Sequence, residues 1–148
     1  MADSQTGITF RYAGFWLRLV AMLIDGAVIL IVMWILGLLL GVNYATLEPT
    51  EAELSSIGLL ELASLFVAWI YFAVMESTGA QATVGKLFMG LYVADKQGNR
   101  ISFGRASLRY WAKFLSSLIL FIGYLMAAFT RQKQALHDII AGCLVLKR

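Results

Sequence analysis

One cysteine, Cys143, one histidine, His137, and one proline, Pro49, are all that the 148 residues contain of these three types. A lone cysteine excludes an internal disulfide, and a lone histidine beside it leaves no cluster of soft ligands for zinc or an iron–sulfur centre. No metal, redox role or cofactor is expected. Charge is scarce as well: Asp, Glu, Lys and Arg make up 14% of the chain against 60% hydrophobic residues. With a mean hydropathy of +0.77, that balance excludes an ordinary soluble domain. The expectation is one membrane domain over residues 1–148, all-α apart from a small β element.

Two runs, residues 19–42 and 57–75, are long and apolar enough to cross about 30 Å of hydrocarbon, which takes roughly 20 helical residues. A third, residues 114–129, is shorter. Residues 1–9 carry no base, and the apolar run that follows is too long for a secretory signal and lacks a small-residue cleavage site, so it is expected to stay as the first span.

Basic residues are missing from the middle of the chain. All twelve Lys and Arg lie at or before Arg18 or at or after Lys86, whereas Glu48, Glu51 and Glu53 sit between the first two spans. Because bases accumulate in cytoplasmic loops, this predicts a multi-pass protein of a prokaryotic inner membrane with its N-terminus cytoplasmic. A simple third crossing would put Arg131, Lys133, Lys147 and Arg148 outside. Half-helices broken near Gly123, entering and leaving on the cytoplasmic side, would keep every base inside. The fold expected is therefore three to four membrane-embedded helical segments.

The first helix is expected over about residues 13–40, since Arg11, Arg18 and Asp25 recur every seven residues, close to two turns, and share one face. Thr50 followed by Glu53 reads as a capping box, opening a second helix over about residues 51–76. Residues 87–94 are rich in aromatic and β-branched side chains, and Asp95-Lys96-Gln97-Gly98-Asn99 makes a turn before residues 100–103. This predicts a cytoplasmic β-hairpin over about residues 87–103, to which Leu144, Val145 and Leu146 could add a strand. A helical segment over about residues 104–130 follows, then a tail over residues 131–148. In that segment Arg105, Arg109 and Lys113, at a spacing of four, read as an interfacial anchor beside Tyr110 and Trp111.

Asp25 is the sharpest candidate, because a carboxylate within a span costs roughly 2.5 to 3.5 kcal/mol on insertion scales and needs a partner. Arg18, on the same face, is the expected partner. The pair serves either to make the charges tolerable or to present a functional carboxylate. Glu61 is a second acid within a span, and Glu76 reads as an ordinary interfacial residue. His137 and Asp138 are adjacent and point to different sides of any helix, yet both join one site if the tail folds back on Arg18. The glycine-containing stretch ending at Lys86 lacks the spacing and hydroxyl of a phosphate-binding loop. Nothing pairs a nucleophile with a base, so no enzyme is expected, and the basic faces follow membrane orientation rather than a nucleic-acid footprint.

Three separated motifs then fall in order: Tyr12-Ala-Gly-Phe-Trp-Leu-Arg18 with Ile24-Asp25; Thr83-Val-Gly-Lys86 with Gly90-Leu-Tyr-Val-Ala-Asp95 and Gly98; and Gln134-Ala-Leu-His-Asp138 with Ala141-Gly142. Together they resemble the RDD family of small membrane proteins, over nearly the whole chain. The resemblance makes Arg18 the family arginine, Asp25 its first aspartate, and Asp138 or Asp95 its second, Asp138 sitting in the stronger motif. Some members are described as sodium/proton antiporters, which implies a desolvated carboxylate exchanging a proton for sodium or another monovalent cation. Asp25 would then exchange, Arg18 would tune it, and Asp138 or Glu61 would relay protons, with His137 a further candidate for the transport site. So short a chain would need a homo-oligomer for alternating access. The alternative is a non-transporting accessory or scaffold protein whose Arg–Asp pair orients helices.

Overall fold

The computed structural model describes residues 10–42, 50–118 and 122–148. The acidic Glu48 and Pro49 of the expected outer loop, and the base-free residues 1–9, lie outside that set. Two long helices come first, α1 (Phe15–Leu39) and α2 (Glu51–Ser77). Both are long and apolar enough to cross a membrane, and only 11% and 6% of their most apolar stretches are buried. Core helices of a soluble protein would be mostly covered. Here Leu30, Trp34 and Leu39 of α1 and Leu59 and Phe66 of α2 stand exposed, a surface suited to lipid.

The capping box holds as the sequence predicts. Thr50 Oγ1 accepts from the Glu53 N–H at 3.3 Å, and Glu53 Oε2 accepts from the Thr50 N–H at 2.7 Å. A short helix α3 (Val84–Phe88) leads into strand β1 (Leu91–Asp95). Helices α4 (Phe103–Leu118), α5 (Ile122–Phe129) and α6 (Leu136–Ala141) follow, and strand β2 (Cys143–Lys147) ends the described chain.

The hairpin expected over residues 87–103 is corrected. Strand β1 pairs antiparallel with β2, from Leu91 opposite Lys147 to Asp95 opposite Cys143, so the tail segment is the partner and residues 100–103 form no strand. The reason is local. Asp95 Oδ1 accepts from the Gln97 and Asn99 N–H groups at 2.9 and 2.8 Å, and Gly98 takes φ +87°, closing a turn that glycine favours. Ile101 then inserts into the core, and Ser102 Oγ accepts from the Arg105 N–H at 3.3 Å, starting α4. The free edge of β2 is covered by residues 11–13: Lys147 donates its N–H to the Arg11 carbonyl, and Ala13 donates to Val145.

Among the described residues, the helical run of residues 104–130 comes as two helices, α4 ending at Leu118 and α5 beginning at Ile122, one residue before Gly123, and residues 119–121 between them lie outside the described set. A Cβ on Gly123 would come within 2.8 Å of Ser116 Cβ, so this glycine lets α5 fold closely onto α4. At 16 and 8 residues, neither helix reaches the roughly 20 residues a crossing takes. Among the described residues, two helices meet that length.

The core gathers where the start of α1 lies beside the end of α2. Leu91, Val93, Cys143 and Val145 of the sheet pack there against Ala21, Ala73, Ala106 and Ala141. Small residues on the helices let all these elements approach one another.

Candidate functional site

A chain of buried ion pairs runs through this end of the molecule. Arg18, in the first turn of α1, donates Nε to the Ala13 carbonyl at 3.1 Å and Nη1 to Asp138 Oδ2. Asp138, in the first turn of α6, accepts from Arg109 Nε at 2.7 Å and from the Ala135 N–H at 3.2 Å. Arg109 of α4 reaches onward with Nη1 to Glu76 Oε2 of α2 at 2.6 Å, and Glu76 Oε1 accepts from Lys86 Nζ of α3. Asp138, Glu76 and Arg109 are 0%, 1% and 2% exposed.

Five residues from five helices are thus tied in one line, three cations alternating with two carboxylates. Each ion loses several kcal/mol of hydration on burial, which is recovered only when every lone pair and proton finds a partner. Burial works against the Asp138 charge, but Arg109 and Arg18 outweigh it and hold the carboxyl well below the usual range. Burial pushes the neighbouring His137 imidazole down to about 3, so it is neutral at physiological pH. Its Nδ1 lies 3.3 Å from Ser116 Oγ.

Asp25 stands apart from Arg18, correcting the expected pair. Its Oδ1 accepts from Tyr71 Oη at 2.9 Å and from the Gly85 N–H at 2.8 Å, and its Oδ2 accepts from Thr83 Oγ1 at 2.6 Å. Tyr71 Oη in turn accepts from the Val84 N–H at 2.9 Å. The carboxylate therefore fastens the start of α3 to α1. Gly85 permits that contact: a Cβ there would lie 2.1 Å from the Ala21 carbonyl oxygen.

Beside both arrangements is a cavity of about 220 Å³. Arg18, Lys86, Arg109 and Lys113 line it, with Asp25 and the neutral His137. Glu76 and Asp138 stand behind that wall, engaged by its cations. Among the described residues, Arg18 Nη2 is buried with no hydrogen-bond partner, and no carboxylate lies within ion-pair distance of Lys113. Lys113 Nζ rests instead 3.7 Å from the centre of the Phe72 ring, a cation–π contact. Burial pushes its ammonium down to about 7. Much of the remaining wall is apolar, and Met22 and Leu125, which line it, are 44% and 45% exposed, so the cavity opens on apolar surface.

The structure thus brings Arg18, Asp25 and His137 around one cavity with Asp138 behind them, because the tail does fold back on α1. Glu61 is exposed on α2, and Asp95 is occupied by its turn. Sequence reasoning missed Glu76, Arg109, Lys86 and Lys113 as members of the site. Arg109 and Lys113 read as an interfacial anchor, although Arg109 lies among Ala106, Tyr110 and Ala112, all buried. A base set amid small and aromatic residues on one helix face was the available signal.

Fold and site together define a helical membrane protein with an ionic core gathered at one end of its two long helices. The chain belongs to the RDD family, whose model matches residues 12–142. It is 33% identical over 140 residues to the uncharacterized protein YxaI of Bacillus subtilis (strain 168), covering 86% of this chain and 92% of that protein. It is also 32% identical over 143 residues to the uncharacterized membrane protein YteJ of the same organism, covering 94% of this chain and 83% of YteJ. No solved structure matches the chain.

Proposed function

We propose that this RDD protein binds an anion in the cavity, with the ion-pair chain as the frame that holds cations around it. The observation that carries the reading is the wall itself. Among the described residues four basic side chains face the space, and the one carboxylate beside them, Asp25, already accepts three hydrogen bonds. Arg18 Nη2 adds a buried donor without an acceptor, and a donor left so costs about 1–3 kcal/mol until it is satisfied. The pattern of bases supports a cytoplasmic N-terminus, which puts the cavity at the cytoplasmic end of α1. Neither chemical conversion of the anion nor a nucleic-acid partner is part of the proposal.

A second reading, exchange of sodium or another monovalent cation for protons, is favoured by one observation: Asp25 lines the cavity from within a candidate span. It requires Asp25 to give up its bonds to Tyr71, Thr83 and Gly85 when the cation binds, and a homo-oligomer to build the path. The accessory or scaffold reading gains from the ion-pair chain but leaves the cationic wall without a role.

Thermal melting of the purified protein at matched ionic strength, with sulfate against chloride, tests the first reading. Sulfate should raise the melting temperature of the native chain by several degrees more than that of Lys113→Gln, since a ligand that binds only the folded state stabilises it. Equal shifts in both proteins would reject an anion site. Proton release on adding sodium to sealed vesicles, lost in a folded Asp25→Asn variant, would put the second reading in its place.

A further inference from the structure

Three features of the cavity bear on what kind of anion it takes. Its cationic side offers the unpartnered Nη2 of Arg18 and the Lys113 ammonium. Elsewhere it is lined by Phe15, Leu19, Met22 and Leu125, and the exposure of the last two shows that this part meets the outer apolar surface. It also lies beside the first turns of α1, where the exposed Trp16 has the amphipathic character of a side chain at headgroup level. A small inorganic ion would satisfy the donors and leave the apolar wall against water. An anionic group carrying an apolar tail satisfies both.

Resting on the anion reading, we propose that the cavity is a headgroup site for an anionic membrane phospholipid, entered sideways from the bilayer. The phosphate meets Arg18 and Lys113, and the acyl chains leave past Met22 and Leu125 to lie along the exposed face of α1. At about 220 Å³, the cavity has room for a phosphate and the start of a glycerol but not for the chains, which stay in the hydrocarbon. Guanidinium and ammonium groups suit phosphate oxygens by charge-assisted hydrogen bonds, and basic pockets beside membrane helices bind anionic headgroups for this reason.

Native mass spectrometry of the full chain released from detergent measures the retained lipid directly. Phosphatidylglycerol, phosphatidylcholine and inorganic phosphate would be added in separate arms, at equal concentration. One phosphatidylglycerol per chain should be retained about tenfold more strongly than phosphatidylcholine, the scale expected for a charged hydrogen bond. Lys113→Gln should erase most of that preference and Lys113→Arg should restore it. Leu19→Gln, which places a polar group in the apolar wall, should weaken phosphatidylglycerol retention. Equal retention of the two lipids, together with a Lys113-dependent response to sulfate or inorganic phosphate, would overturn the lipid proposal and keep the anion site. No Lys113-dependent response to any of these anions would overturn both.

Discussion

Lys113 carries the most testable chemistry of any single residue. Facing it are Glu76 of α2, Lys86 of α3, Arg109 of α4 and Asp138 of α6, and both carboxylates in that group already serve other cations. With its ammonium pushed down to about 7 by burial, against roughly 10.4 in an unfolded chain, the sign of the pH dependence follows. Below about pH 7 both states hold the proton and the burial penalty is fully present. Between about 7 and 10 the unfolded state binds more protons than the folded one, so stability without ligand rises with pH. Anion binding runs the other way, because the neutral amine no longer attracts the ligand. Melting curves from pH 6 to 10, with and without sulfate, should therefore show a rising baseline and a shrinking sulfate increment, both flattened in Lys113→Gln. An increment independent of pH would mean that Lys113 does not meet the anion.

Among the elements, α3 is where a small change should do most harm. It is five residues long, too short to be stable alone, and is held by Asp25, Tyr71 and the close contact of Gly85 with Ala21. Gly85→Ala would press a methyl group into a backbone carbonyl, and overpacking of this kind costs about 3 kcal/mol or more. The variant should melt well below the native protein, and Gly79→Ala, at a position with open space around it, should not. How much was legible in the sequence divides along the same line. The caps and the two long helices were readable because their signals are local: Thr50 and Glu53 are three residues apart, and apolar runs declare themselves. Strand β2 was legible as a segment but not as the principal partner of β1, since nothing in residues 100–103 shows that Ile101 turns inward. The pairing of Arg18 was not legible at all. A spacing of seven placed Arg18 and Asp25 on one face, but that face meets α6 near Arg18 and α3 near Asp25, and Asp138 is 120 positions away. Glu76 and Arg109 likewise resembled interfacial residues until the fold brought their helices together.

For the molecule as a whole, charge is segregated. Two long helices present apolar surface along most of their length, and the ionic chain, the sheet and the cavity are all gathered at one end. The paired charges account for each other, while the cavity collects the donors that have no acid to answer them. The central claim is that an anion fills this place. Crystals of the full protein grown with selenate in place of sulfate would test it most directly, because selenium can be located by its anomalous scattering. An anomalous peak inside the cavity, against Arg18 and Lys113 and absent in Lys113→Gln crystals, is the result this account predicts. A cavity without such a peak at saturating selenate, with Lys113 turned to Asp25, would contradict it.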